Sequence, residues 1–364
     1  MVSRPLEMLA DAVATPLSNA MVTTAIASED VSESEWDKYV ASNSGGTIDH
    51  AWRWRGIFRD VFGHESRYVA ARREGRIVGV LPLVLFDSRL FGRFLASVPF
   101  LNYGGILADD EAARAALLER ARKIAASFRA THVELRHVER RIPELPFRQH
   151  KLQLRRHVPG SSEELWAGVD KKVRNLVRKA QKDGLTAESG GGGLVSDFYN
   201  VFARNMRDLG TPVYSRRLFE ETLRLFPQEA RVHVVRLGRR PVAASVTLQH
   251  GDTVLVPWAS SLREYRQHAP NMLLYWQMLE HAVHHGATTF DFGRSSPGSG
   301  TYQFKRQWGA TERPLHWEYV LLTRKTAPNQ GPQNPKFTRL VEAWKHLPVW
   351  MSTWLGPHIV RNIP

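Results

Sequence analysis

From Asp291 to Gly309 the chain reads Asp-Phe-Gly-Arg-Ser-Ser-Pro-Gly-Ser-Gly-Thr-Tyr-Gln-Phe-Lys-Arg-Gln-Trp-Gly, the densest run of residues able to do chemistry in its 364 positions. If an alternating strand buries Phe290 and Phe292, then Thr289 and Asp291 face the other way, and a carboxylate stands at the strand's carboxyl end. The stretch beyond is rich in glycine and hydroxyls. Gly293, Gly298 and Gly300 permit close backbone approach and positive φ, while Arg294, Lys305 and Arg306 supply charge. Such a set suits an anion or a developing oxyanion. The plainer reading is a surface loop between strands.

Other chemistries drop out on their missing parts. Asp-Phe-Gly marks a kinase only beside a glycine-rich nucleotide loop, a strand lysine and a His-Arg-Asp loop, and the chain has none of these. Ser295, Ser296 and Ser299 lack a nucleophile elbow. His281, His284 and His285 have helical metal spacing but no Glu-x-x-His partner pattern, so they read as a polar helix end and no metal is expected. The absence of cysteine removes disulfides, thiolate zinc sites and a cysteine nucleophile. Gly190 to Gly193, after Glu188-Ser189, is a hinge or loose loop, since no Lys-Ser or Lys-Thr follows to make a phosphate loop.

The elements that must carry the run form a repeat. At 43% hydrophobic and 24% charged the chain has enough apolar surface for a real core, and its length suits two or three domains or a duplicated pair. Tyr68 to Ala71, a turn at Glu74-Gly75, Arg76 to Phe86 and Leu90 to Ala96 read as strands, followed by a helix at Asp110 to Phe128 capped by Asp109 or Asp110, and the strand His132 to Arg136. The order returns with strands Val232 to Leu237, Pro241 to Gln249 and Thr253 to Ala259, the helix Pro270 to His285 and the strand Thr288 to Phe292. Gly75 to Val80 aligns with Arg239 to Ala244, and Val133-Glu134-Leu135 with Phe290-Asp291-Phe292. Ahead of the first copy, Val31 to Ser42 and Ile48 to Phe62 read as helices, the second with Ala51, Trp54, Phe58 and Val61 on one face. Trp52 and Trp54 then read as core, with ligand stacking as the alternative. The expected division is a flexible tail over 1–20 with order from Val22 and Met21 as a better start, one lobe over 21–150, a second over 151–325 carrying the site, and a helical tail over 326–364 that includes Phe337 to His346.

The formal net charge of +14 is concentrated between 136 and 182, where thirteen Lys and Arg face five Asp and Glu. There Lys171 to Lys182 reads as a helix with Val173, Leu176, Val177 and Ala180 inward and Arg174, Arg178 and Lys182 as an outward ladder. A polyanionic partner follows, unless the ladder is only a solvated face. No basic start with an apolar core opens the chain and no eighteen apolar residues run together, so a cytoplasmic, non-spanning protein is expected. Trp344, Trp350 and Trp354 among basic residues suit either a membrane interface or a C-terminal helix docked on its own domain.

The segment Phe290 to Gly309, closing on Tyr-x-Phe-Lys-x-x-x-Gly, resembles the signature of Fem-type aminoacyltransferases in the GNAT superfamily. With Gly79 to Leu83, Pro99 to Gly105, Lys179 to Leu185 and Met206 to Pro212, the resemblance runs from about residue 30 to 320. It is closer still to the FemAB-related proteins that accompany exosortase and PEP-CTERM polysaccharide systems in Gram-negative bacteria. It implies an α/β fold of mixed sheets in two tandem GNAT-like lobes, and transfer of an acyl or aminoacyl group to an amine. Fem-type enzymes take that group from tRNA and use a Phe-Lys pair near it, here Phe304 and Lys305. In acyl-CoA enzymes an Arg/Gln-x-x-Gly-x-Gly/Ala turn holds the pyrophosphate; the matching stretch Arg266 to Asn271 has no glycine, yet the helix opening at Pro270 still offers free N–H groups. The donor is thus acyl-CoA or aminoacyl-tRNA, with no tightly bound cofactor. The acceptor is an amine-bearing sugar, lipid-linked or small molecule, in cell-envelope or exopolysaccharide synthesis, with peripheral contact at the inner membrane in view. A non-catalytic role in polysaccharide assembly stands as an alternative. Lys305 is expected to steady the oxyanion and Asp291 to orient or deprotonate the amine. Tyr302 donates a proton or only packs. Arg294, Arg306, Gly298, Gly300, Phe304, Arg174 and Arg178 are expected to bind substrate or phosphate.

Overall fold

Residues 24–88, 91–328 and 335–363 are described by the computed structural model; the tail over 1–20 and the start at Met21 lie outside the described residues, as does Leu90. Two hairpins with the expected period set the architecture. Ser66–Arg73 pairs antiparallel with Arg76–Ser88 around Glu74 and Gly75, both at positive φ, the backbone a tight two-residue hairpin needs. Gly92–Ala96 adds to that pair, and Glu111–Ser127 crosses over with Asp110 accepting from the Ala113 N–H as its cap. His132–His137 then returns parallel to Gly92–Ala96. In the second half Ala230–Leu237, Arg240–His250, Thr253–Ser261, the helix Pro270–His284 and the parallel strand Thr289–Ser295 repeat the order. The chain folds as two mixed α/β lobes that share one order of elements.

The lobes exchange strands. The first sheet runs Ile26–Ser28, Ser66–Arg73, Arg76–Ser88, Gly92–Ala96, His132–His137, His316–Leu321, Phe147–Arg148, with Leu107–Ala108 pairing Arg76–Ser88. The second runs Thr311–Pro314, Leu152–His157, Thr289–Ser295, Thr253–Ser261, Arg240–His250, Ala230–Leu237, Leu185–Gly190. Leu152–His157, which follows the first lobe, therefore completes the second sheet, and His316–Leu321, which follows the second lobe, completes the first. Glu318 locks that exchange. Fully buried, it accepts from His137 Nδ1 at 2.5 Å, the Arg141 N–H at 3.1 Å and the Ile142 N–H at 2.8 Å. Because Nε2 of His137 accepts from the Ile106 N–H, the ring proton must sit on Nδ1.

Several expectations give way. The basic stretch 136–182 holds more than charge: Leu152–His157 is an interior strand of the second sheet, and Lys171–Lys182 forms the expected helix, with Val173, Val177 and Ala180 buried. The 188–193 stretch is not a loose hinge, since Leu185–Gly190 is an edge strand and Gly192–Leu194 a 3-10 turn. Ile48 to Phe62 breaks into a 3-10 turn at Ile48–His50, a short helix at Trp54–Ile57 and a π turn at Phe58–Phe62. Trp54 is fully buried against Phe226, and Trp52 packs on Trp36 and Tyr68. One core crosses between the halves, with Phe62 stacked on Phe100 at 4.0 Å and both edge-on to Tyr214.

Candidate active site

Asp291 is the hub at which the lobes meet. Phe290 and Phe292 enter the core of the second lobe, as their alternation requires, and turn Asp291 toward the first. Its Oδ1 accepts from the Tyr103 hydroxyl at 3.0 Å and the Gly293 N–H at 2.7 Å, and its Oδ2 from Gln153 Nε2 at 2.5 Å. Burial pushes this carboxyl above its usual range. Tyr103 comes from the first lobe and Gln153 from the exchanged strand, so one carboxylate ties three distant segments.

Parallel pairing of Thr253–Ser261 with Thr289–Ser295 ends at Leu255 and Asp291. Gly293 then turns at φ +73, where a Cβ would lie 2.9 Å from the Val256 carbonyl, so only glycine fits. The kink points the Gly293 and Arg294 carbonyls at Lys305, whose ammonium donates to them at 3.3 and 2.9 Å. Lys305 is 7% exposed, and burial lowers its pKa to about 8. Two of its three N–H donors are spent on the chain, which leaves one to give.

Arg294 lies beside a second cation. Its Nε donates to Asn102 Oδ1 at 3.0 Å, and its guanidinium stands 5.4 Å from the Trp317 ring centre, with Arg136 at 4.3 Å from the same ring. Burial first, and the Arg136 charge next, bring Arg294 down to about 10. Arg136 is 2% exposed; its Nε meets Glu134 at 2.8 Å, while its Nη2 is buried without a hydrogen-bond partner among the described residues. Lys151 bonds Ser296 at 2.9 Å, and His150 stands edge-on to Trp317 with its pKa held at about 4 by burial and by Lys151. The junction thus sets two guanidinium groups against one indole, with a lysine on the neighbouring loop, a chemistry that suits an anionic group.

The loop that presents Asn102 and Tyr103 is strained. Val98 and Phe100 hold φ of +40 and +68, values that cost bulky residues free energy and that cluster at working sites. Asp49 pins it, accepting from the Asn102 and Tyr103 N–H groups at 2.9 and 2.7 Å with its pKa raised by burial to about 7.

The expected residues divide accordingly. Asp291, Arg294 and Lys305 come together. Lys305 sits on a helix, Gly300–Arg306, and not in a loop, with Ser299 capping it through the Tyr302 N–H at 3.2 Å. Tyr302 is drawn to Glu312, whose hydrogen bond raises its pKa; the ring packs on the second lobe's core. Phe304 packs edge-on to Tyr275 at 4.8 Å. Gly298 uses positive φ; a Cβ at Gly298 or Gly300 would meet nothing, so neither is a site of close approach within the chain. Arg306 borders a cavity of about 560 Å³ with Lys172 and Gly168, at the start of the basic helix, whereas Arg178 is exposed over Trp166 and Arg174 is half-buried further along. His281 packs on His285 at 3.8 Å, and among the described residues no group of three His, Asp or Glu could hold a metal ion. Sequence reading missed Asp49, Arg136, Gln153 and Trp317. Asn102 and Tyr103 stood in a noticed stretch but carried no role.

Removing the cap by Ser299→Ala is expected to cost about 1 kcal/mol. A urea titration should show the lower midpoint, with turnover reduced further because Lys305 rides on this helix.

Comparison with known proteins bears on the fold and on part of the sequence. The family profile described as an acetyltransferase (GNAT) domain matches residues 168–306. A lipid II:glycine glycyltransferase of Staphylococcus epidermidis is 36% identical over 73 residues, 18% of each chain, and one of Staphylococcus aureus strain USA300 is 34% identical over 73 residues, 18% of this chain and 17% of that one. The matched run thus spans less than a fifth of these relatives' length. Among solved structures, FemX superposes with a TM-score of 0.66 at 16% identity, covering 80% of this chain and 96% of that one. L-PGS from Bacillus licheniformis gives 0.55 at 12%, covering 87% and 98%. These two likenesses speak to the fold. Among the described residues no helix is long and apolar enough to cross a membrane. The chain is thus similar to GNAT acetyltransferase domains over residues 168–306, to the glycyltransferases over one run of 73 residues, and to FemX in fold.

Proposed function

We propose that the chain is an N-acyltransferase of the Fem type that moves an aminoacyl group from tRNA to an amine on an anionic cell-envelope or exopolysaccharide precursor, as in the PEP-CTERM systems it resembles. The observation that carries this reading is Lys305, a buried ammonium with one spare donor beside the Asp291 hub. The neutral amine attacks the ester carbonyl, forming a C–N bond, and Lys305 donates to the oxyanion. The C–O bond then breaks, the ribose hydroxyl leaves with a proton, and the amine gives up one. Asp291 acts by holding Tyr103 and the Gly293 kink, and Arg294 with Arg136 receives the acceptor's anionic group.

An acyl-CoA-dependent acetyltransferase of a small molecule or amino sugar is the second reading. Ala269 supports it, since it takes φ +53, the backbone glycine adopts in a pyrophosphate turn, and no side chain caps the helix behind it. Salt separates the two. A tRNA spread over Arg174, Arg178 and Lys182 should lose affinity steeply, with a slope of about −0.9 per neutralised duplex phosphate, and a triple alanine variant should flatten that slope. Tight acetyl-CoA binding untouched by the triple change, with no tRNA binding at low salt, would establish the second reading.

A further inference from the structure

The C-terminal helix Val349–Val360 is inside out. It buries Ser352, Gly356 and Val360, at four-residue steps, and leaves Trp350 and Trp354 67% and 66% exposed, also four apart. An ordinary surface helix would turn the tryptophans inward. This one cannot roll, because at Gly356 a Cβ would lie 2.8 Å from the Val213 backbone N and O, so only glycine in this setting allows the contact. Both ends are tied as well. Arg207 donates to the Leu347 carbonyl at 2.8 Å ahead of the helix, and His64 Nε2 donates to the Arg361 carbonyl at 2.7 Å behind it. The indoles are therefore held outward by the fold.

Their neighbours extend the surface. Leu340, 65% exposed, lies on the preceding helix, Pro335–Lys345, and Leu209 stands next to Gly210, which packs on Val341 of that helix. Helix Val349–Val360 contains no carboxylate, and from residue 335 to the end four Lys and Arg face one Glu in a chain of charge +14. Indoles with one apolar and one polar edge, in a segment with more cations than anions, match the boundary of an anionic lipid bilayer.

We propose that this helix docks the protein on an anionic phospholipid surface, with Trp350 and Trp354 in the headgroup layer. The Val213 backbone beneath Gly356 continues into Tyr214, which packs edge-on to Phe100 in the strained loop beside the Arg294 junction. On the acyltransferase reading, docking brings the acceptor end of the site to the membrane, where a lipid-linked precursor resides.

The test is co-sedimentation of the full chain with phosphatidylcholine vesicles and with vesicles containing a quarter phosphatidylglycerol. Wild type should pellet with the anionic vesicles and be released by salt. The double variant Trp350→Ser, Trp354→Ser should lose binding at least tenfold with an unchanged Tm, as expected for side chains two-thirds exposed. Lys305→Ala should bind vesicles as wild type does, so the docking and the chemistry fail separately. Absence of wild-type binding, equal binding by the double variant, or a wild-type dimer that the double variant converts to monomer would overturn the proposal.

Discussion

Lys305→Ala is expected to lower turnover at least a hundredfold, about 2.7 to 4 kcal/mol of barrier, for loss of one donor to a tetrahedral oxyanion. The Tm should fall only by a few degrees. Two carbonyls lose a hydrogen bond, but a charge held in a buried site is removed with it. The pH profile gives the same lysine a second signature. With a folded pKa of about 8, below its usual 10.5, Lys305 loses its proton as pH rises past 8, and turnover that depends on the ammonium declines there. Lys305→Arg keeps the charge, so its declining limb should move well above pH 8 whatever its absolute rate. A limb that stays near 8 in the arginine variant would assign that ionisation elsewhere. For stability the sign is opposite: between about 8 and 10.5 the unfolded chain holds the proton that the folded one has released, so folding gains from this group as pH rises.

Lys305, Asp291 and Arg294 were legible because they lie within a run of nineteen residues and their types are rare together. The hairpins and crossover helices were legible from period, turn glycines and the Asp110 cap. What surrounds Asp291 was not. Tyr103 and Gln153 reach it across separations of 188 and 138 residues, and no local period records such a meeting. Leu152–His157 does alternate Leu152 and Leu154 with Gln153 and Arg155, but six residues in a stretch dominated by Lys and Arg read first as charge. The helix at Gly300–Arg306 was hidden by the glycines and serines just ahead of it and by Gly300, which favour turns in isolation; Ser299 becomes its cap.

Glu318→Ala should be the most destabilising change outside the hydrophobic core. It removes the acceptor of three hydrogen bonds in a fully buried place and strands neutral His137 with two backbone N–H groups, a loss of about 3 to 5 kcal/mol for three buried donors left unsatisfied. Urea midpoints should fall accordingly, and hydrogen exchange should accelerate first in 132–137 and 316–321. The pair also carries a pH dependence. Burial pushes the Glu318 carboxyl up most strongly of any one cause, yet the bond and charge of His137 and the Ile142 and Arg141 N–H groups together hold the pKa below the usual value, while burial depresses His137. The unfolded histidine takes a proton near 6.5 and the folded one resists, so this contribution is complete above 6.5 and is lost as pH falls through the lower folded values. The variant should lose that acid-side slope; an unchanged slope would place the sensitivity in the other buried histidines.

The exchanged strands impose an order on the birth of the molecule. His137 leaves the ribosome roughly 180 residues before the strand that will cover it, a wait of roughly ten to forty seconds at ordinary elongation rates. Until His316–Leu321 arrives, the edge of the first sheet stays open, with Glu134, Arg136 and His137 awaiting the strand that will bury them. Neither half is a self-sufficient product of its own stretch of gene. A chain cut between the lobes should yield two fragments that complement one another when co-expressed and precipitate when made apart.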